Sequence, residues 1–271
     1  MTAARRIHLD CETYRTTNSV LIDSIVDSET SKKPAHNVAK SVKDKWFTDE
    51  AINERVQKAL DKTSVNPMYA EVLVTCCRTD EGELFTFDAM EQSEKESMIQ
   101  FSRFMSEISD KNTIWTAFNG KRFDFSLLLN RMIRHRVRPP EHFPVYAGGW
   151  RGRIFDTMER LPTSEIFVSF KEACDIYGLN CKTTMWGNEP MGGARVGEAY
   201  RAGEFQLIRD YCAADTEHEE ALYLAMTHND TWGTYDVGDD LSALSEIYHS
   251  DDSPAYKWSA AAPILKSAGL I

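Results

Sequence analysis

The chain has 271 residues, 42% hydrophobic and 27% charged, with a formal net charge of −11. These values suit an ordinary globule with a sizeable core, and no apolar run is long enough to span a membrane. The acidic balance excludes broad electrostatic attraction to nucleic acid, although an acidic metal site beside a local basic groove is compatible with a phosphodiester substrate.

Met1 to Arg6 lacks the apolar segment of a secretory signal, so the expected location is intracellular, in the cytoplasm. Cys11, Cys76, Cys77, Cys174, Cys181 and Cys212 include no C-x-x-C pair and have no His at zinc spacing. They are expected to be reduced, half-buried small residues.

Taken in order, Arg6 to Tyr14 reads as a first strand, in which Ile7, Leu9 and Cys11 alternate with His8, Asp10 and Glu12. Asp10 and Glu12 then leave one face two residues apart, close enough to share a metal; the alternative is a half-exposed strand with a polar outer face. Residues 15–67 are polar and read as an insertion with one amphipathic helix, over Trp46 to Lys62. Strands at Ala70 to Cys77 and Glu83 to Phe87, joined by Asp80-Glu81-Gly82, complete a meander with the first.

Ser93 to Ser109 is a predicted helix with Met98, Phe101, Met105 and Ile108 inward, opened by a capping box of Ser93 and Glu96. Thr113 to Phe118 is a short strand broken by Asn119-Gly120, and a helix follows from Phe123 to Arg136. Asp124 in its first turn has two readings: a functional carboxylate, or a cap for exposed backbone N–H groups. Arg131, Arg134, His135, Arg136 and Arg138, with Arg151 and Arg153 beyond, either compensate the helix dipole or hold a phosphate backbone.

Glu165 to Tyr177 is another predicted helix. Lys182 to Glu198 is rich in glycine and reads as a flexible connection, with Lys182 and Arg195 within reach of a phosphate and Trp186 able to stack on a base. Phe205 to about Thr227 is a helix in which Leu207, Tyr211, Asp215, His218 and Leu222 share a stripe. Asp215 therefore either reaches water at the stripe's edge or sits in the interior, where a carboxylate needs a cation or several donors. Tyr211 places a phenol one turn before it. The final 43 residues, 229–271, carry Trp232, Tyr235, Tyr248, Tyr256 and Trp258 beside Asp236, Asp239 and Asp240, and are expected to dock on the domain or on a partner.

A strand with Asp-x-Glu, a strand–turn–helix with Asn-Gly-x-x-Phe-Asp and a helix with Tyr-x-x-x-Asp, in that order, resemble the three motifs of the DEDD (DnaQ-like) 3′–5′ exonucleases. Tyr211, four residues before Asp215, is similar to the DEDDy branch; the DEDDh branch would have His where this chain has Asp210. The segment Thr116 to Asp124 looks most like stand-alone relatives of the proofreading domain of family B DNA polymerases. The resemblance implies an α/β, ribonuclease H-like mixed sheet flanked by helices, within a domain over 1–228 followed by an extension over 229–271.

It further implies Asp10, Glu12, Asp124 and Asp215 as ligands of two divalent cations, Mg²⁺ or Mn²⁺, with Tyr211 orienting the attacking water. Asn119 would place the terminal nucleotide; Thr13, Phe123, Lys182 and Arg195 are the further candidates for substrate binding, and Asp156 occupies a position where relatives often have Asp. The chemistry asks for the same residue types, since hard oxygen ligands suit these ions and a pair of them stabilises both attacking and leaving oxygens. The expected partner is the 3′ end of a single-stranded nucleic acid, DNA favoured, with 229–271 open to a protein partner or self-association and no membrane involved. The rivals are a catalytically silent nucleic-acid-binding or scaffolding module, and a 3′–5′ exoribonuclease with the same site.

Overall fold

The first strand, β1 (Arg6–Tyr14), is the middle strand of a five-stranded sheet in a computed structural model that describes residues 6–144, 153–161, 168–181 and 184–227. On one side it pairs antiparallel with β2 (Glu71–Thr79), which pairs antiparallel with β3 (Leu84–Asp88). On the other it pairs parallel with β4 (Ile114–Ala117), which pairs parallel with β5 (Ile154–Asp156). The resulting five-stranded order, β3-β2-β1-β4-β5, is a mixed sheet of ribonuclease H-like type. A short connection makes the β2–β3 pair, where Asp80-Glu81-Gly82 returns the chain in a tight turn with Gly82 at φ 82°, whereas β1 reaches its antiparallel partner β2 only after the helical insertion. The parallel half needs helical crossovers.

Those crossovers are α4 (Glu94–Ile108) and α5 (Asp124–His135). The Ser93–Glu96 capping box forms as its spacing predicts, and Met98, Phe101, Met105 and Ile108 are buried. Together with Ile7, Leu9, Cys11, Trp115, Leu127, Leu128 and Met132 they fill one side of the sheet. The opposite side is covered by α8 (Gly193–Ala202) and α9 (Phe205–Thr227), whose Val196, Ala199, Ile208 and Cys212 pack on Val74 and Cys76. Helices on both faces make β1 interior, so it has no polar outer face in water: His8 is fully buried, Glu12 nearly so and Asp10 half-buried, while the edge strand β3 keeps Leu84 and Thr86 exposed. All six cysteines are free and buried.

The insertion holds more structure than its polarity suggests. Where one helix over Trp46 to Lys62 is expected, there are three: α1 (Ser19–Ser31), α2 (Lys40–Lys45) and α3 (Asp49–Asp61), then a 3-10 turn over Lys62–Val65. Asn18 caps α1 by accepting from the Leu21 N–H, and α1 packs on α3 without burying a single residue fully, its short apolar stripe of Leu21, Ile22 and Ile25 being only half-buried. Polar links replace a core here: Trp46 ends α2, donates from its indole N–H to the Lys32 carbonyl at 2.8 Å, and stacks under Arg55.

Two other expectations are corrected. The helix expected from Glu165 starts at Ser169, whose capping box with Glu172 opens α7 (Phe170–Ile176), and residues 162–167 lie outside the described ones. From Thr184 onward the glycine-rich stretch has regular structure: β6 (Met185–Trp186) and β7 (Glu189–Pro190) form a hairpin around Gly187 at φ 64°, and α8 runs through Gly197. A one-turn helix, α6 (Thr157–Arg160), follows β5. By its contacts the chain divides into one unit over Met1–Tyr223 and a second over Leu224–Ile271, of which only the end of α9 is described. The aromatic and acidic residues of 229–271 lie outside the described residues.

Candidate active site

Strand alternation sends Asp10 and Glu12 to the face of β1 that lies under α9, where the Cys212 thiol reaches the Asp10 carbonyl oxygen at 3.4 Å. Asp215 meets them from α9, and one carboxylate oxygen of each of the three lies within 4.8 Å of the others. Asp215 is 5% exposed, so the reading in which it reaches water at the edge of its stripe does not hold.

Asp124 opens α5 but does not cap it. The N-cap is Phe123, without a side-chain cap bond, and Asp124 instead turns toward β1, its Oδ1 accepting from the Cys11 N–H at 3.1 Å. Burial and the neighbouring Asp10 carboxylate hold its carboxyl well above the usual range. Tyr211, 3% exposed, is hydrogen-bonded to Asp215; burial, then the carboxylates of Glu12, Asp215 and Asp10, push its phenol far above its ordinary value.

These five side chains line one cavity of about 480 Å³. Its apolar wall comes from Phe118, Phe123, Phe170, Met158 and Val65, and Asn119 stands at its edge. No lysine or arginine is among the described residues that line it. Such a wall offers flat faces to a nucleobase or sugar, while the acid cluster at the floor is unfavourable without a cation. The donor set is all hard oxygen and fits Mg²⁺ or Mn²⁺: Asp10, Glu12 and Asp215 converge closely enough that they could hold such an ion, with Asp124 beside Asp10.

The turn bearing Asn119 is built for close approach. Asn119 adopts φ 60°, and a Cβ on Gly120 would lie 2.4 Å from the Ala117 Cβ. Asp156 holds this turn from below, Oδ1 accepting from the Asn119 N–H and Oδ2 from the Lys121 N–H, both at 3.0 Å. It caps α6 with the same carboxylate and does not line the cavity.

Other candidates lie apart from the cavity wall. The Thr13 hydroxyl donates to the Ser64 carbonyl at 2.7 Å, tying β1 to the insertion just after the β-bulge at Glu12/Thr13. Arg195 sits over the Trp186 ring at 4.6 Å and donates to the Pro190 carbonyl at 3.2 Å, so both residues serve the hairpin. Lys182 and Arg151 lie outside the described residues. The basic cluster belongs to the opposite end of α5, a 12-residue helix and so about 18 Å long. Arg131 and His135 are consumed there by Glu94, which takes two Arg131 nitrogens and the His135 Nε2.

Sequence reasoning passed over several lining residues, among them Phe118, Met158 and Phe170 of the apolar wall, Val65 and Glu219. Val65 was hidden because the insertion has no internal landmark tying it to the site. Glu219 had a signal, its four-residue spacing from Asp215, but it stands in the acidic run Asp215-Thr216-Glu217-His218-Glu219-Glu220, where helix-surface charges are ordinary.

Residues 65–236, more than half of the chain, match the family described as "Predicted 3'-5' exonuclease related to the exonuclease domain of PolB". The chain belongs to this family. Glu12, Asp10 and Thr13 precede the matched segment, whereas the exonuclease family's stretch includes Asp124, Tyr211 and Asp215. Among solved structures, the exonuclease is similar to the family B DNA polymerase of the hyperthermophilic archaeon Pyrobaculum calidifontis, at 14% identity and a TM-score of 0.46. That similarity covers 81% of this chain and 24% of the polymerase, so the chain spans about a quarter of that polymerase's length. No curated protein matches it. No helix among the described residues is long and apolar enough to cross a membrane.

Proposed function

We propose that the chain is a metal-dependent DEDDy-type exonuclease that hydrolyses phosphodiester bonds from the 3′ end of single-stranded nucleic acid, DNA favoured, releasing nucleoside 5′-monophosphates. The observation that carries this is the meeting of Asp10, Glu12 and Asp215 within 4.8 Å, beside Asp124 and Tyr211, in one aromatic-walled cavity. Asp10, Glu12, Asp124 and Asp215 would hold two divalent cations. Bound there, such ions lower the pKa of a water and offset charge on the phosphate oxygens.

The side chains supply the rest. Tyr211 keeps its proton at neutral pH, since even an unperturbed phenol titrates near about 10; with that proton donated to Asp215, its oxygen orients the attacking water by accepting a hydrogen bond from it. Phe118, Phe123 and Phe170 stack against the terminal nucleotide and exclude water from the scissile bond; such stacking is worth about 1–3 kcal/mol per base and is tolerant of sequence. Asn119, fixed by Asp156, aligns that nucleotide. A cavity of about 480 Å³ suits the terminal nucleotide of an unpaired end, which favours a single strand as the substrate.

The test follows a 5′-labelled strand, DNA and RNA in parallel, with Mn²⁺, with Mg²⁺ and with chelator. A metal-dependent ladder of shortening products that Asp10→Ala abolishes is the expected result. Tight binding without cleavage would identify a scaffolding module instead, and a ladder on RNA alone would make it an exoribonuclease.

A further inference from the structure

The four carboxylates of this reaction leave a fifth unused. Glu219 follows Asp215 by one turn of α9, lines the same cavity and is only 2% exposed. Its two oxygens lie 2.8 and 3.1 Å from the Thr157 hydroxyl oxygen, at the start of α6. That hydroxyl has one proton, and the Ala117 carbonyl also lies 3.5 Å from it, so Thr157 fixes the carboxylate's orientation while leaving most of its lone pairs for another donor.

A structural role alone explains this residue poorly. Glutamine would keep the bond to Thr157 without bringing a carboxylate beside Asp10, Asp124 and Asp156, and an apolar side chain would fill the space without any polar cost. What repays a carboxylate here is a donor that arrives with a cation. Water in a cation's coordination sphere is such a donor, and the groups that hold coordinated ligands in place are typically acceptors of this kind.

We propose that Glu219 is a positioning residue for the cation pair, oriented by Thr157 and accepting a hydrogen bond from water coordinated at the Asp10–Asp124 side of the cavity. This rests on the exonuclease reading of the same site. It adds a residue outside the Asp-x-Glu, Asp and Tyr-x-x-x-Asp positions.

The experiment titrates Mn²⁺ calorimetrically into the full chain, unaltered and as Glu219→Gln and Thr157→Val, and measures cleavage of a labelled single strand across Mn²⁺ concentrations. Glu219→Gln should bind Mn²⁺ about 10-fold more weakly or worse, and the concentration for half-maximal cleavage should rise by the same factor. Saturating Mn²⁺ should restore kcat to within a few-fold, and the Tm in chelator should not fall. Thr157→Val should move both readings in the same direction by less, and it probes the contact even if the Gln variant fails to fold. Unchanged Mn²⁺ affinity in both variants overturns the proposal, as does a loss of kcat that saturating Mn²⁺ leaves in place. An unaltered chain that neither binds Mn²⁺ nor cleaves overturns the exonuclease reading itself, and this inference with it.

Discussion

Two buried acidic centres flank α5 and are built on opposite plans. At its C-terminal end Glu94 accepts from Arg131, from His135 and from the Val72 N–H at 2.8 Å, so the chain supplies its own countercharge. Burial pulls the Glu94 carboxyl upward, but Arg131 and His135 outweigh it and hold the group below the usual range. At its N-terminal end Asp124 meets Asp10 rather than an arginine, and burial and that like charge drive it upward. One centre is complete as folded; under the proposed function, the other has its charge balanced by cations. A carboxylate cluster whose described lining offers no lysine or arginine costs stability, which folding proteins tolerate where a ligand repays it.

Substitutions separate the two plans. The largest effect is expected from Asp10→Asn or Asp215→Asn, which should reduce exonuclease turnover by about 10³-fold or more while leaving the Tm in chelator equal or higher, because a repelling charge is gone. Single-turnover assays paired with thermal melts measure both. Glu94→Ala should do the reverse: Arg131, 3% exposed, loses its partner, a change that costs about 3–5 kcal/mol in denaturant titration, with activity per folded molecule unchanged.

Tyr211→Phe comes next. Removing a hydroxyl that bonds a charged group is worth about 1.5–3 kcal/mol, so kcat should fall by about 10- to 100-fold at little change in KM. Gly120→Ala sharpens the contrast from a third direction, since its Cβ would enter space held by Ala117 and, at 2.9 Å, the Phe125 ring. Overpacking of this kind costs about 1–3 kcal/mol, and the displaced Asn119 turn should raise KM more than it lowers Tm. The smallest effect is with pH. Glu94 titrates below its unfolded value of 4.5, so its stabilisation is complete above that pH and lost as pH falls through the lower folded value. Denaturant midpoints measured from pH 6 downward should therefore drop below 4.5 in the unaltered chain and drop less in Glu94→Gln.

Much of this was legible in residue spacing. Alternation in Arg6 to Tyr14 puts Asp10 and Glu12 on one face, the Ser93–Glu96 box starts α4 where it should, and the helical stripe carries Tyr211 and Asp215 to the same place. Each is a local pattern with a local cause. What escaped depends on partners distant in the chain. Arg131 read as one of several cations closing a helix because Glu94 lies 37 residues away, and nothing near Arg131 marks it as buried. Asp124 kept a capping alternative that only the Cys11 N–H, 113 residues earlier, resolves. α1 offers only a short stripe, Leu21, Ile22 and Ile25, within a polar stretch and buries nothing fully, and Glu219 gains meaning only when β5 delivers Thr157 to it.

The central claim is that these carboxylates converge to hold divalent cations, and anomalous diffraction from crystals of the full chain soaked in Mn²⁺ tests it most directly. The account predicts anomalous peaks bounded by oxygens of Asp10, Glu12, Asp124 and Asp215, absent in Asp10→Asn crystals. A cavity without such a peak, in crystals of protein that cleaves a single strand in the presence of Mn²⁺, would contradict it.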